Sequence, residues 1–238
     1  MREQGYGRCD YFLALIFAAD YDGSQLRAHR RELTGHCALS RGMRVLDLGG
    51  GMGISSIFLT RTFGVDVVAA DLWIDPAENC ERFRKVGLGG QVAAMRCEAH
   101  ALPFMAGEFG ALVSIDAYHY FGAKPGYLGR HIAPLLKKGG TIAVAVPGVK
   151  EEFKDGVPPE LQPFWEPDMN FHSVGWWRNL WSGSEKVRVE QVFSMKSHQA
   201  AWDDWLQCDN EYARSDIGMM EAEGGKYFDT IGMVATVL

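Results

Sequence analysis

The sequence predicts an α/β protein: a doubly wound, mostly parallel sheet of seven strands with helical cap insertions. Three observations carry this. Five short runs rich in β-branched residues alternate with stretches of helical periodicity, the pattern of βαβ units. A glycine-rich turn closes the first run, at the place where an open α/β sheet binds its ligand. The chain has 238 residues, 47% of them hydrophobic, which is enough for one large core and excludes disorder or a fibre.

The elements follow in order. Phe12, Leu15, Ile16, Leu26 and Leu33 have helical spacing, broken at Asp22-Gly23-Ser24 and ended by Ser40-Arg41-Gly42, so two helices are expected over 11–40. Strands are expected at 44–48, 65–70, 91–96, 111–115 and 141–146, with helices at 52–62, 76–86 and 125–136 between them. The last of these helices should end at Lys137-Lys138-Gly139-Gly140, where cations and glycine suit a helix C-terminus. Residues 147–170 hold Pro147, Pro158, Pro159, Pro163 and Pro167 beside Phe164 and Trp165, so an irregular segment, a candidate lid, replaces the next βα unit. Ser173 should cap a helix carrying Trp176, Trp177, Leu180 and Trp181 on one stripe, which is expected to pack on the sheet. A sixth strand is expected at 186–193, one or two helices at 197–222, and a final strand at 227–238. The expected organisation is one domain over 1–238: a helical cap (1–42), a cofactor-binding core (43–146), a lid and helix (147–180), and late strands with a helical insertion (181–238).

The net charge of −6 is unevenly placed. Residues 1–199 balance, and the surplus comes from Asp203, Asp204, Asp209, Glu211, Asp216, Glu221, Glu223 and Asp229 against Arg214 and Lys226. Without a basic run, nucleic-acid binding and adhesion to anionic membranes are not expected. The five cysteines (Cys9, Cys37, Cys80, Cys97, Cys208) show no paired spacing, so neither a zinc site nor a disulfide framework is indicated, and no metal is expected. Free thiols fit a cytoplasmic protein. The apolar run at 11–19 is too short to span a bilayer, which takes about 20 residues, and makes a weak export signal because Asp10 precedes it.

The turn Val45-Leu46-Asp47-Leu48-Gly49-Gly50-Gly51-Met52-Gly53 lets a backbone approach a ligand where any Cβ would intrude. Two cofactors could use it. From Gly51 the chain reads G-x-G-x-x-S with Asp71 20 residues on, a degenerate dinucleotide fingerprint. Yet a pyrophosphate gains nothing from a carboxylate beside it, and Asp47 opens the spacing D-x-G-x-G-x-G, which suits a ligand with a cationic end.

That spacing resembles the first motif of the class I S-adenosylmethionine-dependent methyltransferases, and further motifs follow at matching distances. Asp71 matches the acid that holds the ribose hydroxyls. Cys97-Glu98-Ala99-His100-Ala101-Leu102-Pro103-Phe104 is similar to G-D-A-x-x-L-P-F, whose acid accepts from the adenine amino group; here Glu98 replaces Asp and Cys97 replaces Gly. Residues 109–114 resemble the strand-four motif without its usual Asp at position 110, and Leu135-Leu136-Lys137-Lys138-Gly139-Gly140 completes the series. The resemblance covers roughly residues 40–150, with looser agreement beyond.

It implies a Rossmann-like methyltransferase fold that binds S-adenosylmethionine and releases S-adenosylhomocysteine. Asp47, Gly49, Gly51, Gly53, Asp71, Leu72, Trp73, Glu98, Ala99 and Asp116 would hold the cofactor. Trp73 either flanks the adenine or packs on the sheet edge. The turn Ser114-Ile115-Asp116-Ala117-Tyr118-His119-Tyr120-Phe121-Gly122 would face the transferred methyl, with His119, Asp116 and Tyr118 as catalytic candidates. His119 titrates near neutrality and either serves as base or orienter or caps the next helix. Tyr11, Tyr120, Trp165, His172, Trp176 and Trp202 are the candidates for the acceptor pocket.

The expected reaction is methyl transfer to a small-molecule N, O, S or C nucleophile. Trp202 and Trp205 around Asp203 and Asp204 would suit an amine through cation–π contact, or simply form an amphipathic helix. Two other readings stand beside this one: an NAD-dependent oxidoreductase using Gly51, Gly53 and Asp71, and an inactive cofactor-binding scaffold. A lipid acceptor, as in the cyclopropane fatty acid synthase branch, stays open, and an arsenic acceptor is disfavoured by the unclustered cysteines. A homodimer is compatible with the sequence but does not follow from it.

Overall fold

A computed structural model describes residues 32–35, 37–166, 168–207 and 211–238, with the side chains of Asp204, Glu211 and Tyr212 outside the description. Seven strands form one sheet in the order β3-β2-β1-β4-β5-β7-β6. The strands are β1 (Arg44–Leu48), β2 (Asp66–Asp71), β3 (Val92–Arg96), β4 (Phe109–Ile115), β5 (Leu136–Val149), β6 (Val187–Ser194) and β7 (Phe228–Val237). The first five are parallel, and β7 runs antiparallel to β5 and β6. The order turns back at β1 and β4, so the carboxyl ends of these two strands diverge into the crevice where such sheets take a ligand.

Helices follow from local chemistry. In α1 (Ile54–Phe63), Gly53 and Gly64 take left-handed φ at the two ends. In α2 (Pro76–Lys85), Asp75 accepts from the Ala77 N–H, Pro76 opens the helix, and Arg82, Arg84 and Lys85 close it against the dipole. A short α3 (Tyr118–Gly122) follows β4. Ser173 caps α4 (Val174–Ser182) as the sequence indicates. The late insertion forms two helices, α5 (His198–Trp205) and α6 (Glu211–Glu223).

The period of two along the strands divides the core. Leu46, Leu48, Val68, Leu112, Val144 and Met233 face one side with Trp177 and Trp181. Val45, Val67, Val113, Ala143 and Val234 face the other with Phe58, Leu59 and Phe83. The Trp177 and Trp181 rings of α4 are fully buried, with Trp176 and Leu180 partly buried beside them, so the aromatic stripe packs on the sheet. A third cluster lies beyond the carboxyl edge, where Leu161, Phe171, Trp202, Trp205, Met219 and Phe228 pack together.

Two expectations about this framework change. The helix expected at 125–136 is a π-helical turn (Leu128–Ile132) running into a 3-10 turn (Ala133–Leu135). Pro134 lacks the N–H that an α-helical ladder needs there. Leu136 then pairs with Phe109, so Lys137–Gly140 lie in a bulged stretch of β5 rather than at a helix end. The missing Asp at position 110 also has a steric cause: a Cβ on Gly110 would lie 2.6 Å from Met43 Cγ. The surplus acids of the C-terminal region are in part internal acceptors. Asp216 accepts from the Trp205 indole at 2.9 Å, Glu223 accepts backbone N–H bonds from Gly225, Tyr227 and Phe228, and Asp229 accepts from Ser194 and Thr230.

Candidate active site

A cleft opens at the carboxyl ends of β1, β2 and β4. Its floor is the glycine turn, held by N–H bonds from Gly49 and Gly50 to the Ala70 carbonyl of β2 at 2.8 and 3.3 Å. Gly49 and Gly51 line it at φ of +75° and +51°, in the left-handed region that favours glycine. A Cβ on Gly49 would lie 2.2 Å from the Ala117 Cβ, so the turns after β1 and β4 meet only because position 49 is bare. Gly53 lies behind the floor as the first residue before α1, packed so closely on Phe83 that a Cβ would sit 2.4 Å from its ring.

Asp71, at the end of β2, ties this floor to the wall. One carboxylate oxygen accepts from the Gly51 N–H at 3.0 Å; the other accepts from Trp73 and Ile74 at 2.8 and 3.1 Å. Asn79 of α2, which sequence reasoning missed, is buried and donates to the Gly51 carbonyl at 2.8 Å. An isolated Asn inside a helical stretch carried no signal for that role. On the β3 side, Glu98, Ala99 and His100 line the cleft together with Cys97. Burial pushes the Cys97 thiol up to about 11, with Asp71 adding to the effect, which disfavours its thiolate.

At the end of β4 the chain turns sharply. Asp116 takes φ of +51°, rare outside glycine, while its N–H donates to Ala145 at 2.8 Å and the residue lines the cleft. This turn sets the phase of α3 and corrects two expectations. Tyr120 and Phe121 face the cleft, whereas Tyr118 and His119 point away. Tyr118 is fully buried between Phe121, Tyr127, Trp177 and Trp181, and burial raises its hydroxyl well above the usual range. His119 is 1% exposed, its ring 3.9 Å from that of Tyr120 and 5.9 Å from that of Phe171, behind the cleft wall. Tyr118→Phe should therefore leave kcat within about twofold, whereas a proton-transferring hydroxyl would lose about a hundredfold or more; steady-state kinetics distinguishes these.

Asp47 lies beneath the floor. It is buried and accepts from the hydroxyls of Ser55 and Ser56 in the first turn of α1. Burial pushes its carboxyl up to about 6, against the opposing pull of those hydroxyls. The folded chain therefore holds this proton better than the unfolded one. The resulting stability is fully present below about pH 4 and is lost as pH rises through 6, by about 3 kcal/mol. Asp47→Asn, with nothing to titrate, should gain on the parent by up to that amount between pH 4 and pH 7 in denaturant unfolding. An identical difference at both pH values would show that Asp47 is not the source.

Of the acceptor-pocket candidates among the described residues, only Tyr120 lines the cleft. It is 46% exposed and meets Trp73, 48% exposed, edge-on at 6.3 Å across the mouth, beside the exposed Leu72. Trp73 thus flanks the opening rather than packing down on the sheet edge. His172 instead stacks on Trp176 at 3.6 Å and pairs with Glu152 at 3.1 Å, outside the cleft. Trp165 packs on Phe153 and Phe171, and Trp202 is buried in the third cluster, so neither forms a cleft wall. Asp203 is engaged by Gln199 at 2.8 Å, and Trp202 borders a separate hollow with Glu221 and Glu223 rather than the cleft. Tyr11 lies outside the described residues.

Three carboxylates, from Asp71, Glu98 and Asp116, line the cleft, and no Lys or Arg does so among the described residues. A glycine cradle with acids at the ends of β2, β3 and β4 fits a ligand with hydroxyls, an amino-bearing base and a cationic end better than a pyrophosphate. No group of three or more His, Cys, Asp or Glu able to hold a metal occurs among the described residues.

Comparison with known proteins agrees. Residues 45–140 match the family model described as a methyltransferase domain. Over that segment the chain is similar to the S-adenosylmethionine-dependent methyltransferases, and its seven-stranded fold is the one they share. Geranyl diphosphate C-methyltransferase from Streptomyces coelicolor A3(2), solved with Mg2+, geranyl diphosphate and S-adenosyl-L-homocysteine, superposes with a TM-score of 0.72 at 16% identity, over 90% of this chain and 80% of that one. Phosphoethanolamine N-methyltransferase 2 of Haemonchus contortus gives 0.68 at 16% identity, over 86% of this chain and 51% of that one. The [4+2]-cyclase SpnF also gives 0.68 at 16% identity, over 97% and 93%. No curated protein matches the chain by sequence.

Proposed function

We propose that this chain transfers a methyl group from S-adenosylmethionine to a small-molecule acceptor at the mouth of the cleft. The observation that carries the reading is the placement of Asp71, Glu98 and Asp116 around the bare glycine turn at a single carboxyl edge. In this reading Asp71 takes the ribose hydroxyls, Glu98 and the Ala99 amide take the adenine, Leu72 and Trp73 cover its face, and Gly49, Gly51 and Asp116 border the methionine end. When bound, the cofactor supplies an electrophilic sulfonium methyl.

The chain's own contribution is positioning: holding a nucleophile about 3 Å from that methyl and excluding water. Asp116 replaces His119 as the group that orients the acceptor or takes its proton, because it lines the cleft while His119 does not. The aromatic mouth of Trp73 and Tyr120 over the Asp116 carboxylate suits an amine. The acceptor of the phosphoethanolamine enzyme has an amine as well, whereas that of the geranyl enzyme is a carbon nucleophile.

Release of S-adenosylhomocysteine over a panel of amine, phenol, thiol and isoprenoid acceptors tests the proposal; Asp116→Asn should reduce turnover with an amine by at least about tenfold. The likeness to a cyclase gives a second reading specific support, since one fold hosts several chemistries. Conversion of an acceptor without release of S-adenosylhomocysteine would favour it.

A further inference from the structure

Glu98 stands where the resembled motif has Asp, so it brings one more rotatable bond to the same task. An exposed Glu that must wait in one orientation for a ligand loses rotamer freedom on binding. Here the orientation is already held. One carboxylate oxygen lies 2.8 Å from His100 Nδ1, and the other accepts from the His100 backbone N–H at 3.0 Å. Both side chains are accessible, at 42% for His100 and 47% for Glu98, and both line the cleft.

The His100 ring is itself fixed from a second element. It packs edge-on against Tyr127 at 5.1 Å and His131 at 5.6 Å, and these two rings stack on each other at 5.0 Å. The Tyr127 hydroxyl donates to the Ala99 carbonyl at 2.7 Å, which anchors the residue between Glu98 and His100. The pairing with His100 also holds the Glu98 carboxyl below its usual range, so it stays an acceptor. Each carboxylate oxygen has two lone pairs, and His100 occupies one on each, leaving the outward pairs for a donor in the cleft.

We propose that His100 is a positioning residue that holds the longer Glu98 side chain in the orientation that selects an amino-bearing purine, making it a determinant of base specificity. The inference rests on the reading of Glu98 as the adenine acceptor. Its test is the calorimetric Kd of S-adenosylhomocysteine against that of S-inosylhomocysteine, in which an oxygen replaces the amino group. The proteins compared are the parent, Glu98→Gln, His100→Ala and His100→Asn.

The parent should prefer the amino ligand. Glu98→Gln should erase most of that preference, and His100→Ala should weaken the amino ligand about five- to tenfold while leaving the oxo ligand within about twofold. His100→Asn keeps a donor near the place of Nδ1 and should recover part of the preference. Equal weakening of both ligands in His100→Ala, or no weakening, overturns the role of His100 while leaving Glu98 in place. An unchanged preference in Glu98→Gln overturns the adenine reading and the inference with it.

Discussion

Gly49→Ala should abolish cofactor binding, with at least a hundredfold rise in the Kd for S-adenosylhomocysteine. Two costs combine at this position. At φ of +75° an alanine is strained by about 1 to 2 kcal/mol. Its methyl would also sit 2.2 Å from the Ala117 Cβ, so the turns that end β1 and β4 must separate. Overpacking of that kind costs about 1 to 3 kcal/mol, and the separation displaces the Gly51 and Asp116 walls, which are the two sides of the cleft. Gly87→Ala is the control. It has a similar φ of +77° with nothing within 4 Å of the added methyl, so it should lower stability slightly and leave ligand affinity unchanged. Calorimetry and thermal unfolding of both variants separate loss of the site from loss of the fold.

Asp71→Ala should raise the Kd by about a hundredfold, and Asp71→Asn by about tenfold. The carboxylate holds the N–H groups of Gly51, Trp73 and Ile74 with its two oxygens, and in the proposed function it also accepts from the ribose hydroxyls. Alanine removes every acceptor at once, and hydrogen bonds to a charged group contribute about 1.5 to 3 kcal/mol each. Asparagine keeps one oxygen but turns an amide donor toward one set of N–H groups. A steady-state measurement should show the effect mainly in the KM for S-adenosylmethionine. A fall confined to kcat would place Asp71 elsewhere in the reaction.

The parts of the site that the sequence made legible are those written in the backbone. Glycines at 49 and 51, an acid at the end of β2 and another after β3 announce turns and strand ends, and turns and strand ends define the cleft of an open sheet. Side-chain direction beyond β4 was not legible, because a single left-handed residue, Asp116, rotates everything after it. Tyr118, His119 and Tyr120 are consecutive in α3 and so point about 100° apart, which leaves no more than part of the turn facing the cleft; Tyr118 and His119 are the ones that go inward. Asp47 shows the same limit, since its place in the motif is visible but the serines that draw it under the floor lie in the next helix. The Trp-rich C-terminal region was ambiguous for a different reason. Aromatic side chains beside acids read equally as a binding wall or as core with internal acceptors, and the indole of Trp205 on Asp216 is the latter.

The most direct test of the account is a calorimetric titration of the protein with S-adenosylhomocysteine and, separately, with NADH. Stoichiometric binding of S-adenosylhomocysteine that Asp71→Ala weakens about a hundredfold is expected, with no heat from NADH. Binding of NADH with none of S-adenosylhomocysteine would contradict it.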